Sequence, residues 1–175
     1  MSGLPPLSLA EWVVLALVAE QPTHGFPIAR LTSNDGELGR IWHVPRPVVY
    51  RSLLRLAEAG LVTADGSEPG NGPQRTIYTT TASGRAAVRY WLRTPVEHVR
   101  DVRSHLLMKL ALLHRAGADP TDLLVRQREI LAPIAQAMAA ERTSSPAGFE
   151  ATLLAWRRAS AEAAVNFLAD VTPSD

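Results

Sequence analysis

The chain contains no cysteine, which excludes disulfides and thiol chemistry and fits a reducing compartment. No stretch approaches the roughly 18 uncharged apolar residues of a membrane span. The first residues lack a basic region followed by a long apolar run, so no secretion signal is expected and the chain is read as cytoplasmic. No phosphate-cradling glycine loop precedes a helix, no nucleophile elbow occurs, and Gly70-Asn71-Gly72 reads as a turn. Paired carboxylates for acid–base work are not evident either. These absences predict neither an enzyme nor a cofactor. Net charge is also scarce, at +1 over 175 residues, which argues against a generic binder of polyanions.

What charge there is lies unevenly. Residues 40–93 hold eight arginines against three acids, residues 1–39 one arginine against four acids, and residues 94–175 nine bases against ten acids. Within the basic stretch, Pro45 to Gly60 has helical period. Val49, Leu53, Leu56 and Gly60 fall on one face, while Pro47, Val48, Arg51, Arg55 and Glu58 fall opposite. Two arginines one turn apart, with Tyr50 at their edge, suit phosphates and base edges, so DNA is the first partner to consider. The plainer alternative is a solvated basic surface.

The elements around this helix complete a winged-helix layout. Residues 1–7 are expected to be a loose tail. Ser8 can cap a helix to Glu20, with Glu11 closing a capping box. A second helix runs from Phe26 to Thr32, and Gly60 ends the arginine helix. Leu61 to Ser67 and Thr76 to Thr80 form a hairpin around a tip at Pro69 to Pro73. Thr81 then caps Ala82 to Arg93. Residues 8–95 are thus expected to form one winged helix-turn-helix domain with a two-stranded β-wing.

Residues 96–175 are expected to be all-helical, which makes the chain mostly α. The first helix spans about Glu97 to Ala116. The second is capped by Asp119, opens at Pro120, and should bend or break at Pro133. The third, Phe149 to Ala169, places Phe149, Leu153, Trp156, Ala163 and Phe167 along one side. Such stripes exceed what a single layer can hide, so dimerisation through this domain is expected.

Several of these runs are similar to PadR-type transcriptional regulators. They are Leu9 to Leu17, His24-Gly25-Phe26 with Ile28, Val49-Tyr50-Arg51-Ser52-Leu53 with Leu56, Gly60-Leu61-Val62, and Tyr78 to Thr81 with Gly84. The three C-terminal helices resemble the longer branch of that family. The resemblance implies a homodimeric repressor that binds a palindromic operator and is released by a small hydrophobic or aromatic effector near the dimer interface. Phe26 departs from the tyrosine common after His-Gly, removing a hydroxyl.

Candidate DNA contacts are Arg51 and Arg55, with Arg46 near the helix start and Gln74 and Arg75 on the wing; the wing pair reads equally as a solvated hairpin. Tyr50 by resemblance bonds a phosphate, or it packs beside Leu54. Trp12 and Trp42 are expected to fill the winged core. Trp91 and Trp156 are the candidates for stacking on an effector, against ordinary packing. His98 and His105 lie two turns apart, and no Cys, Glu or Asp cluster completes a tetrahedral set, so no metal site is expected. The competing reading of the whole is a winged helix used for protein–protein contact.

Overall fold

The computed structural model describes residues 6–68, 75–140 and 148–172. Helix α1 (Leu9–Glu20) is apolar nearly all round, and Val13 to Val18 are buried, so it forms the central post of the N-terminal half. Its start is fixed locally. Ser8 Oγ accepts from the Glu11 backbone, and the Glu11 carboxylate accepts from the Ser8 N–H at 2.7 Å, the reciprocal box expected. Helix α2 (Gly25–Leu31) opens on His24, whose Nδ1 accepts from the Phe26 N–H.

Helix α3 (Arg46–Glu58) packs on α1 through Val49, Leu53 and Leu56, each fully buried. It ends with Gly60 at φ +66, the Gly60 N–H donating to Ala57 and the Leu61 N–H to Leu56. That pair satisfies two end carbonyls and turns the chain into the hairpin. Strands β1 (Val62–Glu68) and β2 (Arg75–Thr80) pair antiparallel from Val62↔Thr80 to Glu68↔Arg75, with an irregularity between Ala64 and Ser67. Thr23, just before α2, pairs with Tyr78 as a single bridge. Helix α4 (Ala82–Arg93) is capped by Thr81 as its sequence predicts.

Beyond α4 the expected helix from Glu97 to Ala116 is corrected. The chain is extended at His98, forms a 3-10 turn at Val99–Asp101 and a π turn at Val102–Leu106, and becomes α5 only at Leu107–Arg115. Side chains from later helices hold the peptide groups before it. Gln127 takes both the N–H and the C=O of Val96, and Lys109 takes the Thr94 C=O. The Val96 C=O, which would accept the first bond of a helix starting at Glu97, is thus already engaged.

Helix α6 (Thr121–Ala140) pairs with α7 (Phe149–Val171). Asp119 accepts from the Thr121 N–H at 3.0 Å, in the expected capping place. Of the bend or break expected at Pro133, the break does not occur: Pro133 and Glu129 are both exposed, so water can take the carbonyl that the proline leaves unpaired. Among the described residues no helix is long and apolar enough to cross a membrane.

Two buried clusters result. The first joins α1, α2, α3, the hairpin root and α4, and also takes Met108 and Leu112 of α5. The second joins Val96, Val102, Leu106 and Leu113 to α6 and α7. Helix α5 therefore serves both.

Candidate nucleic-acid interface

The outer face of α3 is set by what the inner face buries. Arg51 is exposed, and among the described residues it has no hydrogen-bond or ion-pair partner. Arg46, in the first turn, lies 5.9 Å from the centre of the Phe26 ring and 5.6 Å from that of Tyr50. Tyr50 in turn lies against Gly25, where an added Cβ would stand 2.7 Å from a ring carbon. The glycine that opens α2 thus makes room for the tyrosine, and Arg46 and Tyr50 share one surface, with Arg51 exposed next to Tyr50 in the chain. Phe26 and Leu54 are exposed beside them.

Arg55 differs from its neighbour. Its guanidinium meets the buried Glu11 carboxylate at 3.0 Å while its side chain stays 59% exposed. Sequence reasoning gave Glu11 only a capping role; the carboxylate also ties α3 to the start of α1. Arg75 pairs with Glu68 at the end of the wing strands, and Gln74 lies outside the described residues.

The tryptophans divide otherwise than expected. Trp42 is 47% exposed and does not fill the core, because Leu38 and Val44 of the same connection plug it instead. Trp12 is half-buried and stacks on Trp91, centroids 5.3 Å apart and planes within 2°. Trp91 is buried by that stack, packed with α1 and α5, and is not among the residues that line the cleft beside Trp156. Trp156 borders a cleft of about 850 Å³ whose apolar lining includes Val102, Leu107, Ile134, Met138 and Phe167. Arg100, Arg103 and Arg157 rim the cleft, with His98 and Glu97.

The single lysine was not singled out by sequence reasoning. Lys109 is buried against Trp91, 5.2 Å from its ring centre, and donates to the Thr94 carbonyl at 2.5 Å. Burial pushes its pKa down to about 8, partly opposed by Asp101. Burial also lowers the pKa of His105; Asp101 raises it and Lys109 lowers it further. Because Lys109 is depressed from 10.5, the unfolded chain holds a proton between pH 8 and 10.5 that the folded chain has released. Stability should therefore rise with pH across that window, by up to about 3 kcal/mol from this group. Urea midpoints across it should rise in the parent relative to Lys109→Met; parallel curves would refute the assignment.

Residues 14–90 match the model of the transcriptional regulator PadR-like family. The match covers somewhat less than half of the chain. The chain is similar to a probable transcriptional regulator, Rv1176c, of Mycobacterium tuberculosis, 27% identical over 94 residues that cover 54% of this chain and 49% of that protein. It is also similar to the negative transcriptional regulator PadR of Bacillus subtilis, 22% identical over 103 residues, covering 59% and 56%. The chain spans about half the length of these curated relatives. Among solved structures, B. subtilis PadR in complex with operator DNA aligns over 96% of this chain and 100% of that one, at 18% identity and a TM-score of 0.49. The family match covers the whole of α3, the hairpin and most of α4, and it stops short of the cleft.

Proposed function

We propose that this chain is a homodimeric regulator, a repressor and not an enzyme, whose α3 helices read a palindromic operator in successive major grooves. The observation that carries the reading is Arg51, exposed and without a partner among the described residues, on a helix whose opposite face is fully buried and whose first turn sets Arg46 against Tyr50. Arg75 on the wing would add a backbone contact. For the dimer, Phe149 and Trp156 stand 75% and 69% exposed on α7, an apolar surface suited to a second copy. The cleft beside Trp156 offers an apolar floor and an arginine rim to a small hydrophobic or aromatic effector with an anionic group.

Selection from a random-sequence duplex pool tests the operator reading. The parent should enrich a two-fold sequence and bind it with a steep salt dependence, which a protein-contact module need not show. Arg51→Ala should weaken that binding by about 1–3 kcal/mol at unchanged fold and dimer state. Arg51→Ala binding as the parent does would remove α3 from recognition. Aromatic carboxylates such as 2-naphthoate, added to the retarded complex, test release, with Trp156→Ala as the variant that should lose it.

A further inference from the structure

Arg115, the last residue of α5, reaches back over the N-terminal half. Its Nε and one terminal nitrogen donate to the two carboxylate oxygens of Glu20 at the end of α1, at 3.0 and 2.8 Å. The other terminal nitrogen donates to Glu37, in the connection between α2 and α3. One guanidinium is thus shared by acids from two separate elements. Its own helix is anchored in both buried clusters, by Met108 and Leu112 in one and Leu113 in the other.

The connection that Glu37 belongs to, residues 32–45, delivers the chain to the first turn of α3. Leu38 and Val44 seat it in the core, and Thr32 bonds the Ile28 and Val44 carbonyls. Among the described residues, every other hydrogen bond that this connection makes stays within itself, α2 or α3. Among the described residues, Arg115 is its one polar tie beyond α2 and α3. Exposed pairs of this kind add little to global stability. A tie at this place acts on orientation instead, because the connection ends where Arg46 and Tyr50 begin their surface.

We infer that Arg115 is a positioning residue for DNA recognition, tying the connection before α3 to the helix shared with the C-terminal half. The inference rests on the reading of α3 as the DNA-facing helix. Through it, a shift of α5 moves the recognition surface without touching DNA.

The full chain carrying Arg115→Met, Glu37→Ala or Glu20→Ala tests this, read by urea midpoint, by affinity for the duplex the parent selects, and by amide exchange over residues 32–45. Arg115→Met and Glu37→Ala should each weaken binding about three- to tenfold, and the double variant no further, as expected for partners in one contact. Glu20→Ala should change affinity less than about twofold, although it removes the two-pronged and less exposed pair. Parent-like affinity in Arg115→Met and Glu37→Ala would overturn the inference. So would an equal loss in Glu20→Ala, which would mark a purely structural clamp. Should the parent enrich no duplex, the operator reading fails by itself. Exchange then decides the tie: faster exchange at residues 32–45 in Glu37→Ala upholds it, and unchanged exchange ends it.

Discussion

Gly84→Ala is expected to cost about 3 kcal/mol of folding stability, although alanine at an ordinary helical position gains up to about 1 kcal/mol over glycine. Gly84 lies in the first turn of α4, and its N–H donates to the Thr81 cap at 3.0 Å. Thr81 is itself bound to the root of the wing, through its N–H to the Leu61 carbonyl at 3.0 Å and its hydroxyl to the Gly60 carbonyl at 2.9 Å. A Cβ on Gly84 would stand 2.1 Å from that Leu61 oxygen and 2.7 Å from Thr80 Cγ2. The obstacle is backbone, not the tip of a flexible side chain. Relief requires α4 to lift from the hairpin, breaking the Thr81 bonds and loosening Ala87, Val88 and Trp91 from the core. Urea denaturation measures the loss, and a midpoint equal to the parent's or above it would show that helix propensity wins over the contact.

The same residues show why some of the fold could be read early. Ser8 with Glu11, and Thr81 ahead of α4, are caps whose partners lie within three residues, so the helix starts follow from local chemistry. The buried face of α3 follows from periodicity alone. Periodicity says which side of α3 Arg55 occupies, but not that Glu11, far away in the chain, stands within 3.0 Å of it. Of the proposed contact residues, Arg46 and Tyr50 lie together and Arg51 is exposed. It diverts part of Arg55, and it describes no side chain at Arg75.

The segment from Glu97 onward misled for a related reason. Val99, Val102, Leu106 and Leu110 have helical spacing, and a 3-10 turn followed by a π turn can present them inward as well. What holds the backbone ahead of the helix is a pair of side chains 15 and 31 residues further on, invisible to any local pattern. Trp91 and Trp156 were grouped by residue type. They are separated because Trp91 faces α1, where Trp12 supplies a matching ring. Lys109 and Arg115 carried no motif, yet each holds a join between the halves.

Gln127→Leu should be nearly as damaging as Gly84→Ala, about 2–4 kcal/mol, for the opposite physical reason: it removes polar atoms and creates no clash. Gln127 is fully buried, with Oε1 accepting from the Val96 N–H at 2.7 Å and Nε2 donating to the Val96 carbonyl at 2.8 Å. Leucine fills a similar volume but leaves both backbone groups unpaired away from water, each costing about 1–3 kcal/mol. Gln127→Glu keeps the acceptor, loses the donor and buries a charge, so it should be no milder. Arg126→Ala supplies the contrast. Its guanidinium bonds the Arg93 carbonyl at 2.8 Å from an exposed position, where water can replace it, and the loss should stay within about 0.5 kcal/mol. Urea midpoints of the three variants give the ranking. A Gln127→Leu midpoint within about 0.5 kcal/mol of the parent would mean that the Val96 peptide groups find water or other partners. The join between the halves would then be held by α5 packing, with Lys109 and Arg115 as its polar ties.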